Sequence, residues 1–389
     1  MKYLKEIIVF VKDIIGFVLP YLLSDVYFGR STTGLPDNSI VFFPCSENIL
    51  CCGIAGIISF KGKGKKTDHL DLTSLNELAV KITEKGYMNC AQNNKSLIVD
   101  YFGGQELIDS FLHSVQSLKG NDYFAECFAG KDIQNELSKL SVHLNDIIDR
   151  ESRLLSDNMG LLDADVVDTM SRRIEDLKDI SWCITSEILD NIIKVKELFD
   201  QNFQHITSST LKVVKNINAV LNAIDRLEVR GRDSAGISLV FILEKAEFER
   251  FKEELGESDN INLLDQFRER SSQDVLVNMG IDVHETKDES GEKCVCIAIT
   301  YKIAAEIGSL GDNISFLRNQ IKNDPIFQTV ILCPHKYHTA GAHTRWASVG
   351  AITEPNCHPV DNKGTKNISD KSGIIHICLN GDIDNYIGL

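Results

Sequence analysis

The chain has 389 residues, of which 43% are hydrophobic and 25% charged, and its net charge is −15. This is the composition of a globular protein long enough for two domains and a sizeable core, and the acidic balance opposes the basic footprint that phosphate-backbone binding needs, so nucleic acid is excluded as an expected partner. Eleven cysteines without paired Cys-x-x-Cys spacing point to reduced thiols in the cytoplasm, not to a zinc site or a disulfide framework.

Residues 7–23 are strongly apolar, but Lys12 and Asp13 interrupt them and Pro20 closes them. They fall short of the ~20 uninterrupted apolar residues of a membrane span, and no small-x-small cleavage site follows. The expectation is a buried or amphipathic helix in a leader and no membrane partner, with a membrane-surface anchor as the lesser alternative. Residues 31–38 read as a loop and 40–43 as a short strand. Cys52 then heads Gly53-Ile54-Ala55-Gly56-Ile57-Ile58, a run fit for a buried strand whose backbone comes close to a neighbour or a ligand.

Between 61 and 207 the apolar positions step by four and three: Ile133, Leu137, Leu140, Leu144 and Ile147, then Leu177, Ile184, Ile188, Ile192, Val195 and Leu198, with a step skipped at Ser181. That is helical spacing, and Asp157-Asn158-Met159-Gly160 supplies a turn, so a helical hairpin or small bundle is predicted. Such an arm is either an inert excursion or a docking and homo-oligomerisation element.

A helix over 208–227 follows, with Val214, Ile217, Leu221 and Ile224 on one face and Ser208 or Ser209 as N-cap. Gly231 breaks it, and Ser234-Ala235-Gly236 lead into a strand over 237–243. Residues 244–270 are charged and helical. In the predicted strand 293–300, Cys294 and Cys296 share a face and are expected to point into the core. A helix over 312–321 opens at Gly311-Asp312 and stops before Asp324-Pro325, and a last strand is expected over 373–379.

Four stretches carry the chemistry. They are Cys52-Gly53-Ile54-Ala55-Gly56, Arg226-Leu227-Glu228-Val229-Arg230-Gly231-Arg232-Asp233-Ser234-Ala235-Gly236, the run from Ala342-His343-Thr344-Arg345-Trp346-Ala347-Ser348 to Cys357-His358-Pro359, and Leu379-Asn380-Gly381-Asp382. Arg345 offers a planar guanidinium matched to a carboxylate. Asn380 and Gly381 offer a side-chain amide and a backbone N–H, two donors suited to an oxyanion. In this order the four resemble class II glutamine amidotransferases, most closely the branch that aminates fructose 6-phosphate to glucosamine 6-phosphate. A related branch, the amidophosphoribosyltransferases, shares the Arg-Gly-x-Asp-Ser-Ala-Gly pattern.

The resemblance implies an α+β fold, the αββα N-terminal-nucleophile sandwich, incomplete at the C-terminus. It implies a leader or propeptide over 1–51, a partial amidotransferase domain over 52–60 plus 208–389, and a helical insertion over 61–207. Cys52 would be the nucleophile and its free α-amino group the base, which requires cleavage after Cys51, with Cys51 the next candidate. Asn380 and Gly381 would hold the oxyanion. Arg345, Trp346 and Ser348 would bind glutamine, Ser348 standing where the family commonly has Thr, and Val349 where it commonly has His. No metal or organic cofactor is implied. A full member continues into a sugar-isomerase domain that holds fructose 6-phosphate, so the chain is expected to be the first part of a larger enzyme, unable to make glucosamine 6-phosphate alone. The alternative from another class is an amidotransferase-like interaction protein with a silent cysteine.

Overall fold

A computed structural model of the chain describes residues 39–42, 53–59, 72–93, 96–200, 206–257, 262–288, 290–304, 309–347, 350–363 and 373–379. It is an α+β protein with two compact units, one spanning Gly64–Lys196 and the other combining Asn38–Lys63 with Glu197–Leu389. The apolar leader stretch, Cys52, Ser348, Val349, Asn380 and Gly381 lie outside the described residues. No helix among the described residues is long and apolar enough to cross a membrane.

The unit over Gly64–Lys196 is helical. Its principal helices are α1 (Leu72–Thr83), α2 (Gln105–Ser117), α3 (Lys131–Asn158) and α4 (Ala164–Trp182). Leu137, Leu140, Leu144, Ile147 and Leu155 of α3 are buried, as are Met170, Ile174, Leu177 and Ile180 of α4. Each such side chain contributes about 1.5–3 kcal/mol through removal from water. The skipped apolar step at Ser181 has a polar cause: the Ser181 hydroxyl is buried against Ser141 (3.1 Å) and donates to Asn145 (2.9 Å). After it, the helix widens into a π-helical turn at Cys183–Leu189. Two buried charges tie down the short helical turns between α1 and α2. Arg173 donates to the carbonyls of Tyr101 (2.6 Å) and Ile98 (2.8 Å), and Glu151 accepts from the Tyr87 N–H (2.9 Å).

The second unit is built on a six-stranded antiparallel sheet in the order β1-β2-β6-β3-β5-β4. The strands are β1 (Ser39–Phe42), β2 (Gly53–Ser59), β3 (Ser234–Glu244), β4 (Gly280–Lys287), β5 (Lys293–Ala304) and β6 (Tyr337–Arg345). A two-residue pair, β7 (Val360–Asp361) with β8 (His376–Ile377), stands apart from it. On one face the alternating side chains Ala55, Ile57, Ala235, Ile237, Leu239, Phe241, Val295, Ile297, Ile299, Tyr301, Ala340 and Ala342 are buried. Helix α5 (Ser208–Leu227) packs on β2 and β6, and α8 (Asp312–Asn323) on β3 and β5, to form this core with that face. Helices α6 (Lys245–Gly256) and α7 (Leu263–Ser271) fill the charged stretch before β4.

Three expectations are corrected. The N-cap of α5 is Thr207, one residue earlier than expected, because its hydroxyl reaches the Thr210 N–H (3.1 Å). Cys294 and Cys296 do share a face, but it is the opposite one from Val295, Ile297, Ile299 and Tyr301, and only Cys294 is buried. Of the strand expected over 373–379, only His376–Ile377 pairs. The Asn362 side chain bonds the Ile375 N–H (3.1 Å) and the Gly373 carbonyl (3.0 Å), which takes that backbone out of any ladder.

One core group makes stability pH-dependent. His338 of β6 is buried with Asn216 of α5 at 3.0 Å from its Nε2. Burial, helped by the charges of His335 and Lys212, lowers its pKa to about 3. The unfolded chain takes up this proton near pH 6.5 and the folded chain does not, so stability falls as pH drops from about 6.5 towards 3, by up to about 1.4 kcal/mol per pH unit. Urea titrations at pH 7.5 and pH 5 should show the loss, and His338→Asn should make it smaller.

Candidate functional site

Strand β6 lies between β2 and β3, and that placement joins three of the four chemical stretches at one end of the sheet. Gly53 pairs with Thr344, which pairs with Ala235, while Arg345 pairs with Ser234. The Gly53 N–H also reaches the Thr344 hydroxyl at 3.3 Å. Gly53 is the residue that follows Cys52 in the chain, so the start of β2, the end of β6 and the start of β3 meet in register.

Glycines make this meeting sterically possible. A Cβ on Gly53 would stand 2.4 Å from the Cβ of Leu227, the last residue of α5. One on Gly231 would stand 2.8 Å from the Arg345 carbonyl carbon, and one on Gly236 only 2.2 Å from the His358 carbonyl oxygen. Real Cβ atoms do not come that close to backbone, so Gly231 and Gly236 let the Arg226–Gly236 stretch lie directly under the segment carrying Arg345 and His358. Asp233 fastens the two: its N–H donates to the Arg345 carbonyl (3.1 Å), and its carboxylate accepts from the Ala347 N–H.

Arg345 ends β6, and residues 350–359 turn back past its guanidinium. Its Nη1 donates to the Asn356 carbonyl (3.3 Å), and Gly350, at φ +90°, puts backbone beside Nη2. Trp346 follows and is 58% exposed, so it is not the core aromatic that a strand position commonly holds. His343 is fully buried, with its ring edge-on to that of His358 at 4.7 Å. Burial, followed by the charge of His358, lowers the pKa of His343 to about 3, and burial and Arg345 likewise depress His358. Both rings are therefore neutral near pH 7. His358 precedes a cis peptide bond to Pro359, and its Nδ1 accepts from the Leu379 N–H (3.3 Å).

Beneath the returning loop, the buried Lys302 donates to the carbonyls of Leu276 (2.8 Å) and Glu354 (3.3 Å). Burial lowers its pKa. The Cys357 thiol donates to the Ala235 carbonyl (3.1 Å), and burial raises its pKa. Cys378, whose pKa burial raises to about 12, is also a poor thiolate. Neither cysteine is set up as a nucleophile.

Of the candidate residues, the structure places Arg345 and Trp346 together at the end of β6; Cys52, Ser348, Asn380 and Gly381 lie outside the described residues. Sequence reasoning missed Asp233 and Lys302 as fasteners of the loop. Asp233 lies inside the Arg226–Gly236 motif, but a residue that holds another segment through its own N–H to the Arg345 carbonyl and its carboxylate to the Ala347 N–H has no local pattern. Comparison with protein-family models, with curated proteins and with solved structures finds no match.

The glycine contacts give a direct test. Gly231→Ala and Gly236→Ala should each cost about 1–3 kcal/mol in urea denaturation, the usual penalty for overpacking. Gly341→Ala should cost less than about 1 kcal/mol, because among the described residues nothing lies within 4 Å of the added methyl.

Proposed function

We propose that this chain is the glutamine-hydrolysing part of a class II glutamine amidotransferase, built on the N-terminal-nucleophile fold, with Cys52 as nucleophile. The observation that carries the reading is the register Gly53–Thr344–Ala235 with Arg345 opposite Ser234. Three stretches far apart in sequence, singled out for their chemistry, lie on neighbouring strands with their chemical ends aligned. An antiparallel sheet covered on one face by α5 and α8 is compatible with one half of an αββα sandwich.

In the proposed reaction Cys52 becomes the N-terminal residue, so that its α-amino group, with a pKa of about 7.7–8, can take the thiol proton near neutrality. The sulfur attacks the side-chain carbonyl carbon of glutamine. The oxyanion is held by the Asn380 amide and the Gly381 N–H. The C–N bond then breaks, and ammonia leaves with the proton returned from the α-ammonium group. Water hydrolyses the thioester, giving glutamate and restoring the thiol. Arg345 pairs with the α-carboxylate of glutamine through two parallel N–H···O bonds, Ser348 donates to the same group, and Trp346 borders the site. Neutral His343 and His358 keep the neighbouring interior uncharged. The ammonia acceptor would be fructose 6-phosphate, held by a sugar-isomerase domain in a longer protein.

Arg345→Lys tests the reading. A lysine keeps the charge but not the fork, so glutaminase kcat/KM should fall about ten- to hundred-fold, the worth of hydrogen bonds to a charged group. Thermal stability should be unchanged. Full activity in Arg345→Lys would contradict the assignment of the carboxylate site.

A further inference from the structure

The face of the sheet opposite the α5/α8 core carries a second polar constellation that glutamine hydrolysis does not use. Residues paired across antiparallel strands point to the same face. Ser238 at the middle of β3 is flanked on that face by Thr300 of β5 and Gly341 of β6, and Asp282 of β4 pairs with Ala298, two residues along from Thr300. His376 of β8 joins them: its Nδ1 is 2.6 Å from the Ser238 hydroxyl, and its Nε2 is 2.8 Å from an Asp282 carboxylate oxygen. Lys363 forms an ion pair with the other oxygen of Asp282. Ser238, Asp282 and Thr300 are more than nine-tenths buried, as is the side chain of His376.

The hydrogen bonds fix the chemistry of the imidazole. Burial alone would raise the Asp282 pKa, but the His376 hydrogen bond and Lys363 outweigh it and hold the carboxyl below its ordinary range. An ionised Asp282 can only accept, so it takes the N–H on Nε2, and in the neutral imidazole this leaves Nδ1 as the acceptor facing the Ser238 O–H. This is the tautomer a general base needs, with hydroxyl, imidazole and carboxylate in series. A spare donor is adjacent: the Thr300 hydroxyl is fully buried and has no hydrogen-bond partner among the described residues. Space is adjacent as well. Gly341 pairs with Ser238 on one side and with Gly56 on the other. Among the described residues an added Cβ at Gly341 would meet nothing within 4 Å, and both glycines are partly exposed. Among the described residues the two glycines therefore form a lane free of side chains across the sheet beside Ser238.

We propose that Ser238 is an activated nucleophile for small acyl esters, with His376 as its base, Asp282 as the group that orients the base, and Thr300 as the oxyanion donor. The Ser238 Oγ–acyl carbon bond forms and the carbon–alkoxy bond breaks. The hydroxyl proton passes through His376 Nδ1 to the leaving alcohol, and water, deprotonated by His376, then releases the acid and restores the serine. This centre is separate from Cys52 and stands whether or not Cys52 is active.

The probe is a small alkyl fluorophosphonate, applied to the folded full chain and followed by intact mass and peptide mapping. Attack by Ser238 forms an Oγ–P bond and expels fluoride, with the proton taken by His376. One adduct on Ser238 is expected in the folded chain and none in urea. Ser238→Ala should abolish it, and His376→Gln should slow it at least about hundred-fold, the scale of general-base catalysis. Gly341→Val should slow it by closing the lane, while leaving His376 in place. Absence of a Ser238 adduct in the folded wild-type chain, or an undiminished rate in His376→Gln at wild-type melting temperature, would overturn the proposal.

Discussion

Everything at the proposed glutamine site depends on β6 being held between β2 and β3. A strand has two edges, and β6 uses both, pairing Thr344 with Gly53 on one side and with Ala235 on the other. Side chains alternate along a strand, so a slip of one residue would exchange the buried and partly exposed faces of β6. It would also carry Arg345 away from Asp233 and put a side chain where Gly231 and Gly236 accept backbone. The buried Ala340 and Ala342, the close glycine contacts and the Asp233 clamp all specify the same register, which is the consistency expected of a well-determined local structure.

The two faces of this sheet have different characters. One is an apolar surface, interrupted by His338 and Thr344, that α5 and α8 close. The other carries Ser238, Asp282, Thr300, Lys302 and His343, and each polar group there is a cost unless it finds a partner. Lys302 finds two carbonyls, and Asp282 finds Lys363 and His376. These bonds fasten the loop after Arg345 and the β7–β8 segment to the sheet, so the polar face organises the residues around the site as well as holding the proposed serine centre. The helical unit over Gly64–Lys196 has an apolar interior of its own, with its own buried charges Glu151 and Arg173. It is set into the chain between β2 and α5.

The sequence made much of this arrangement readable where local rules decide. The 3.6-residue spacing in α3, α4 and α5 and the Gly231 break before β3 are local, and each element stands where the pattern puts it. The short helices Tyr87–Gln92 and Asn121–Ala129 lack long apolar periods and follow Gly86 and Gly120, which give no side-chain cap to recognise. The side of the sheet on which Cys294 and Cys296 lie is fixed by which face receives the helices, a tertiary choice that alternation alone does not reveal. The alignment of Gly53, Arg345 and Ser234 and the series Ser238–His376–Asp282 bring together residues from distant strands. For the first, the motifs marked the participants without giving their register. For the second, no motif existed, because a serine in a strand and a histidine in a two-residue strand look ordinary until the sheet places them together.

The central claim is that the start of β2, at the end of the sheet where Arg345 sits, is a glutamine site with Cys52 as its nucleophile. The most direct measurement is the intact mass of the purified chain before and after exposure to a glutamine-mimicking diazo ketone, with the adduct mapped by peptide. The account predicts a chain that begins at Cys52 and carries one adduct on that residue, with excess glutamine protecting it. A chain that retains the residues before Cys52 and takes no label, or a label that glutamine does not compete away, would contradict it.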